Sequence, residues 1–455
     1  RARVNLENKV QKFLTYGVNA QFTSRDESNM YESGRSVYSS FSTSLSPYGN
    51  VYNEDGSLKL YPNDNNNATN PLLNMAYLSK KHDVNNLNAS IYLKLDLPLG
   101  FSLQTTYSPR FEWTNYLYHK SADHPDSGDQ GGFVERYGMK DFFWQWDNML
   151  KWNKTFGKHA FDFTGLLNWE KFQRWKTISK NEGFQPSDNL GYGGIGYGTS
   201  PIADSDDIYR TGDALMGRLH YTYDNRYLIT ATVRRDGYSA FGTTNPYANF
   251  LSGALAWTFT NEDFWKWGDV LDSGKLRVSF GQNGNRSLEN SYIALANLAL
   301  GKYSQGYINS TTGALLDMKY LFVDRLPNTG LQWEKTTSWN VGLDLSFLKG
   351  RINASLEYYI MPTTDMIMNQ SLPDFTGFAS ITTNLGRVEN KGFEISLNTR
   401  NIETKNFEWN TSFSFSRNKN EIKKLYGEYE TIVDAAGNTI TKERDDVDNK
   451  WFIGH

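Results

Sequence analysis

The sequence predicts an all-β protein, an antiparallel transmembrane β-barrel, and three observations carry that prediction. The first is strict two-residue alternation. Val341, Leu343, Leu345 and Phe347 interleave with Gly342, Asp344 and Ser346, and Ile352, Ala354, Leu356, Tyr358 and Ile360 interleave with Asn353, Ser355, Glu357 and Tyr359. Period two describes a sheet with one apolar and one polar face. The second is an asymmetry of connections, short at one end of the strands and long and polar at the other, as outer-membrane barrels have. The third is composition. Aromatic residues make up 15% of the 455 residues, suiting the interfacial girdles of a barrel. Mean hydropathy is only −0.61, because half of each spanning strand would face a wet lumen. No apolar run reaches the length of a membrane helix, which excludes a helical membrane protein.

About fourteen strands are expected, each roughly ten residues or slightly more, the length a tilted membrane strand needs. The first pair, near Arg1–Lys9 and Phe13–Ser24, meets around Val10–Lys12. The next pairs turn at Pro98-Leu99-Gly100, Thr155-Phe156-Gly157-Lys158 and Asp224-Asn225-Arg226. A longer connection, Asn261–Ser273, carries Trp265 and Trp267 as candidate interface residues. The last two pairs turn at the two-residue Lys349-Gly350 and at Glu403-Thr404-Lys405-Asn406. Between hairpins, residues 1–455 are read as one barrel domain interrupted by long extracellular loops near 25–82, 117–140, 177–212, 283–335 and 362–385, with a further connection near 236–249. Structureless stretches of this length argue against a compact soluble domain.

Charge sorts the faces. On the lipid side an ionised residue costs about 2–4 kcal/mol at the midplane, whereas the lumen tolerates it. Asp344, Glu357, Glu394 and Glu408 are therefore expected to face the lumen, and Leu343, Leu345, Leu356, Ile395 and Phe413 the lipid. On this assignment Leu356→Arg is expected to hinder membrane assembly and Glu357→Arg to leave it intact.

The net charge of −3 argues against a nucleic-acid partner. The absence of cysteine excludes disulfides and thiolate chemistry. No catalytic constellation is present, so no enzyme activity, cofactor or metal is expected. His119 and His124 share a segment with Asp123 and Asp126, but zinc needs three or four convergent ligands. Asp445-Asp446-Val447-Asp448-Asn449 lacks the spaced ladder and turn glycine of a calcium loop. The glycine-rich run Gly191–Gly198 has no strand–helix context and no following Lys-Ser/Thr, so it reads as a flexible outer loop and not a phosphate cradle. Its Tyr192 and Tyr197, together with Tyr238 and Phe241, are candidate ligand-stacking residues, because an aromatic ring offers a flat apolar face. Tyr238 and Phe241 serve equally well as packing for their own loop. The chain opens in strand phase without a signal peptide and closes at 451–455 without a terminal strand, which suggests an internal piece of a longer protein.

The residues also resemble a family. Leu331-Gln332-Trp333-Glu334-Lys335-Thr336-Thr337 followed by Asn340-Val341-Gly342-Leu343-Asp344 is similar to a hallmark of SusC-like (SusC/RagA) TonB-dependent outer-membrane transporters. Arg234-Arg235-Asp236-Gly237, Ala254-Leu255-Ala256-Trp257, Leu276–Asn285, Glu357-Tyr358-Tyr359, Thr376-Gly377-Phe378 and Asn384–Glu394 follow the same pattern in order. The resemblance spans essentially the whole chain and is strongest from Leu215 to Asn420. It implies a barrel of about 22 strands with a plugged lumen, the plug and the outermost strands lying outside this sequence. It also implies residence in the bacterial outer membrane as a multi-pass protein in contact with lipid. The implied partners are a SusD-like surface lipoprotein as a lid, TonB-ExbB-ExbD as the energy source through a segment not in this chain, and oligosaccharide cargo, with peptide as the alternative. A dimer of transporter–lipoprotein pairs is implied as well. A soluble carbohydrate-binding β-protein would share the composition but not the one-sided turns; a passive porin would lack the motif series.

Overall fold

The computed structural model describes residues 1–28, 46–64, 69–124, 127, 131–184, 188–286, 288, 290–300, 307–308, 311–313, 315–316, 320–433, 438–447 and 449–454. The strands are β1 (Ala2–Gln11), β2 (Leu14–Asp26), β3 (Leu78–Asp96), β4 (Phe101–Lys120), β5 (Phe133–Phe156), β6 (His159–Glu182), β7 (Ile202–Ser205), β8 (Ile208–Tyr223), β9 (Tyr227–Tyr238), β10 (Tyr247–Thr258) and β11 (Leu271–Asn285). Four short strands follow, β12 (Asn297–Leu300), β13 (Tyr307–Ile308), β14 (Leu315–Leu316) and β15 (Leu321–Arg325). The series continues with β16 (Glu334–Phe347), β17 (Ile352–Ser371), β18 (Ser380–Glu403), β19 (Glu408–Lys424), β20 (Tyr429–Val433) and β21 (Thr439–Glu443). One seven-residue helix, α1 (Pro71–Tyr77), is capped by the Asn70 side chain accepting from the Leu72 amide. The main sheet runs β1-β2-β3-β4-β5-β6-β8-β9-β10-β11-β16-β17-β18-β19, with β7 paired to β6. Each neighbour in that order follows the last along the chain, apart from the short excursions β7 and β12–β15. Such a meander is what hairpin connections produce.

The chain divides into two compact units, one of residues 1–94, 105–146 and 170–210, the other of residues 95–104, 147–169 and 211–455. The second unit shows how sequence becomes sheet. Registered antiparallel pairing places Tyr221, Ile229, Leu255, Val278, Val341, Tyr358 and Phe393 in one row across seven strands. The next row, one residue along, is His220, Thr230, Ala254, Ser279, Asn340, Tyr359 and Gly392. One face is thus apolar and the other polar, as a period of two demands. The apolar side is not a core: from Ile229 to Phe393 each member of the first row is 37–59% exposed. A contiguous uncovered apolar face of this kind is what a lipid-facing surface provides.

Buried side chains gather instead at the long-connection end. In the first unit Leu78, Tyr116 and Tyr118 pack with Phe133 and Tyr137. In the second, Tyr238, Ala240, Phe241, Phe250 and Trp333 form a cluster backed by Ala248, Leu288 and Ile367.

The turns at the opposite end are short where the chain can take left-handed backbone. Asp224 (φ 50°) and Asn225 (φ 53°) close β8–β9, since Asp and Asn tolerate that region. The turn expected at Lys349-Gly350 is longer: residues 348–351 separate the strands, and Leu348, Lys349 and Gly350 all have positive φ. The Gly350 amide is held by Asp272 Oδ2 at 2.7 Å.

At the long-connection end the strands run further than the hydropathy pattern suggests. β4 reaches Lys120 and β5 starts at Phe133, although the pattern predicts a loop over 117–140; β17 and β18 extend to Ser371 and from Ser380, leaving eight residues in place of a loop over 362–385. Helix α1 and the start of β3 lie within 25–82, β6 continues to Glu182 and β7 lies within 177–212, and β12–β15 occupy parts of 283–335. The reason is physical. Beyond the apolar band both faces of a strand meet water, so alternation is lost while backbone pairing continues.

Candidate functional site

On the polar face of the second unit, β11, β16 and β17 present a charged network. Arg277 donates to both oxygens of Asp344, Nε to Oδ2 at 2.6 Å and Nη2 to Oδ1 at 3.0 Å, and Nη2 also donates to Glu357 at 2.8 Å. Ser355 Oγ donates to Asp344 at 2.9 Å and Asn340 to Glu357 at 3.2 Å. Register explains the meeting: Arg277 lies opposite Gly342, and Gly342 opposite Glu357. A Cβ on residue 342 would fall against the guanidinium, so glycine there lets the arginine lie flat across the strand.

Asp344 and Glu357 therefore sit together on the polar face. Glu394, directly opposite Glu357, shares that face and is exposed. It borders a shallow depression with Ser396, Ser414 and Ser416. Glu408 lies exposed near the short-turn end, accepting from Asn410 at 2.7 Å. The rest of this face on β16–β19 is rich in small hydrogen-bonding groups, with Ser346, Asn353, Asn398 and Ser412 forming one row and Asp344, Ser355, Ser396 and Ser414 the next. The expectation for Glu357→Arg needs correction, because an arginine there would set a second cation against Arg277 and leave Asn340 without its acceptor.

At the long-connection end, Tyr238 and Phe241 are 8% and 4% exposed. Their rings meet edge-on at 5.9 Å and both pack on Trp333: Phe241 stacks on it with centroids 4.7 Å apart, and Tyr238 lies 6.2 Å from it. Phe250 meets the Trp333 edge at 5.8 Å, and Trp333 Nε1 donates to the Pro246 carbonyl at 3.3 Å. The Gly242 amide donates to Leu331 and that of Thr244 to Thr329, tying this turn to the segment before β16. At Gly242 a Cβ would overlap the Thr329 backbone, so only glycine permits that approach.

Beside this cluster, β17–β19 and the segments flanking them enclose a recess of about 700 Å3. Its walls include Met366, Ile367, Met368, Val388, Ile422 and Trp451, with Asn369, Thr382, Asn420 and Lys424 among the polar groups. Glu334 at its edge is occupied by the Ile367 amide at 2.8 Å and Asn285 at 2.7 Å. The sequence pattern does not reveal this recess, because Met366 and Met368 follow an irregularity in the β17–β18 register, which breaks the alternation that would assign them a face.

Tyr192 and Tyr197 lie in a short 3-10 turn, Gly191–Tyr197, rather than a structureless loop; Tyr197 is 72% exposed and Tyr192 half-buried. That turn abuts a polar anchor in the first unit. Asp188 Oδ2 accepts from the Ala122 amide at 2.7 Å and lies 3.1 Å from His119 Nε2. Burial works against the charged Asp188, yet the hydrogen bonds from Ala122, His119 and Ser121 outweigh it and hold the carboxyl below the usual range. His124 is buried with its ring edge-on to Tyr77, away from any metal-like cluster among the described residues; Asp126 lies outside the described residues. Near the end of the chain Asp446 accepts from Tyr426 at 2.7 Å and from Asn449, a self-satisfied turn. Burial, then that hydrogen bond, pushes the Tyr426 hydroxyl up to about 12. Asp448 lies outside the described residues.

Comparison with known proteins agrees with this geometry. Residues 15–449 match the family model described as TonB dependent receptor-like, beta-barrel. TonB-dependent receptor P26 of Formosa agariphila is 30% identical over 436 residues, 93% of this chain and 42% of that protein. TonB-dependent receptor SusC of Bacteroides thetaiotaomicron is 38% identical over 224 residues, 48% of this chain and 22% of that protein. The chain thus spans less than half the length of these relatives. Among solved structures, one described as the RagAB peptide transporter superposes with a TM-score of 0.76 over 98% of this chain and 53% of that one, at 21% identity.

Proposed function

Because this chain belongs to the TonB-dependent receptor-like β-barrel family, as a SusC-like member resident in the bacterial outer membrane, we propose that the whole protein is an active importer of oligosaccharides. In this reading the polar face lines the lumen, with Asp344, Glu357, Glu394 and Glu408 on it. TonB-ExbB-ExbD supplies the energy, and a SusD-like lipoprotein closes the extracellular side, the pair assembling as a dimer of pairs. The named relatives are TonB-dependent receptors, and the chemistry asked of this face is binding and release.

The observation that carries the cargo class is the polar face itself. Rows of Ser and Asn side chains interleaved with a few carboxylates offer closely spaced neutral donors and acceptors. A hydroxyl-rich chain can exchange hydrogen bonds along such a surface without leaving buried groups unpaired. Exposed Tyr197 would add a stacking platform at the entrance. Tyr238 and Phe241, being buried against Trp333, would shape the entrance and not touch cargo.

A second reading is peptide cargo, favoured by the recess lined with Met366, Ile367 and Met368. Flexible thioether side chains adapt to varied apolar groups, which peptides carry and most glycans lack.

Uptake by cells carrying the full-length protein tests the proposal. Labelled oligosaccharide is expected to accumulate and to stop accumulating when the proton-motive force is collapsed. Undiminished uptake would point to passive diffusion, and accumulation of peptide alone would transfer the assignment to the second reading.

A further inference from the structure

We propose that the exposed aromatic face of β4–β6, with the Tyr209 end of β8, is a contact surface for the phosphates of lipid headgroups, and that Lys140 and Lys171 supply its cations. Both side chains project from the exposed aromatic side of the sheet. Lys140 Nζ lies 5.2 Å from the ring centre of Trp175, and Lys171 Nζ lies 4.8 Å from that of Tyr209. Around them the aromatics are continuous: Phe111 stacks on Trp113 at 5.5 Å and on Phe142 at 4.5 Å, and Tyr107 meets Trp144 at 6.1 Å. Trp113, Trp146, Trp175 and Tyr209 are each 37–48% exposed.

The charges on the two faces differ. Along residues 105–120, 133–146 and 170–182, alternation places every carboxylate (Glu112, Glu135, Asp141, Glu170 and Glu182) on the opposite, polar face. There they meet their cations: Arg174 pairs with Asp141 at 2.7 Å and Lys180 with Glu135 at 3.7 Å. The aromatic face of the same segments carries Arg136, Lys140 and Lys171 and no carboxylate, and on β8 that side carries Asp213 in alternation with Tyr209 and Leu215. Neither lysine has a carboxylate partner among the described residues. A lysine on a lipid face is tolerated only near an interface, where its ammonium can reach the headgroups.

Position agrees. Lys171 stands twelve residues from the start of β6 at His159, about 40 Å along the strand and, at a tilt of about 40°, roughly 30 Å along the membrane normal, comparable to the thickness of the hydrocarbon core. Lys140 lies over Trp175, four residues farther along β6. Both ammonium groups are flanked by rings of the kind that collect at the level of lipid headgroups. Each ring screens one side of an ammonium and leaves its other donors free for an anionic oxygen.

The test uses the full-length protein in nanodiscs of phosphatidylcholine containing a minority of phosphatidic acid, with retained lipid identified by native mass spectrometry. Phosphatidic acid is expected to be enriched on the wild type. Lys140→Gln and Lys171→Gln are each expected to cut that enrichment about fivefold, the effect of one cation near a membrane surface. The double Arg variant should retain it. Lys154→Gln, on the same face at the short-turn end beside Phe156, should leave it unchanged. Heat-modifiable gel migration checks that each variant is folded, and the exposed site of Lys140 makes Lys140→Gln the safeguard should Lys171→Gln fail to assemble. Equal enrichment in the Gln variants, or displacement of the lipid by millimolar inorganic phosphate, would overturn the proposal, the latter by showing a free-anion site.

Discussion

Leu356 and Glu394 show at single-residue scale how one position along a strand decides between two solvents. Leu356 lies in register between Leu343 and Ile395 on the apolar face, and Glu394 on the polar face beside Glu357. Leu356→Arg is expected to cost about 2–4 kcal/mol at mid-membrane and to reduce the heat-modifiable folded form in outer-membrane fractions. Glu394→Arg is expected to fold normally, since an arginine there would meet the Glu357 carboxylate. Equal assembly of the two variants would refute the face assignment. Asp188 supports a pH prediction at the same scale. Its folded pKa lies below the unfolded value, so its contribution is complete above the ordinary carboxylate range and disappears as pH falls through the depressed folded value. Exchange protection at the Ala122 amide should therefore persist at neutral pH and be lost in acid, and Asp188→Asn should remove this pH dependence. An Asp188→Asn protein with the wild-type profile would show that another group anchors this turn.

Among the elements, the Trp333 cluster joins the end of β9, the start of β10 and the segment entering β16 into one packed knot at the long-connection end. Truncating a buried tryptophan typically costs about 3–5 kcal/mol. Trp333→Ala is expected to spare the membrane strands, whose pairing does not depend on that ring, and to release residues 238–246 and 329–333. Hydrogen exchange should rise there and not in β16–β18. A uniform rise would mean that the cluster holds the sheet as well as the loop. The sequence marks Trp333 through the family motif and Tyr238 and Phe241 through their aromatic character. Their contact is not legible there, because it joins residues about 90 positions apart across segments with no periodic pattern. The strand interiors are legible for the opposite reason, since lipid on one side and water on the other impose alternation on every residue between Ile352 and Ile360.

For the molecule as a whole, the sheet is a meander of hairpins whose apolar face is left uncovered, and in each unit the packed residues collect at the long-connection end. This inverts a soluble protein, in which apolar faces pack on each other. If the whole protein is an energy-coupled importer, collapse of the proton-motive force halts accumulation while leaving binding at the cell surface intact. Loss of both together would indicate that assembly and not transport had failed.

The sequence alone determined the fold class, the approximate number of strands in the main sheet and the position of most short turns. All of these follow from local periodicity under two solvents. Tertiary structure decided the rest. Arg277 meets Asp344 and Glu357, Trp333 fills the space between two turns, and β17 and β18 run on past the last alternating residue. These depend on registers between distant strands and on surfaces wet on both sides, where hydropathy leaves no imprint in the order of residues.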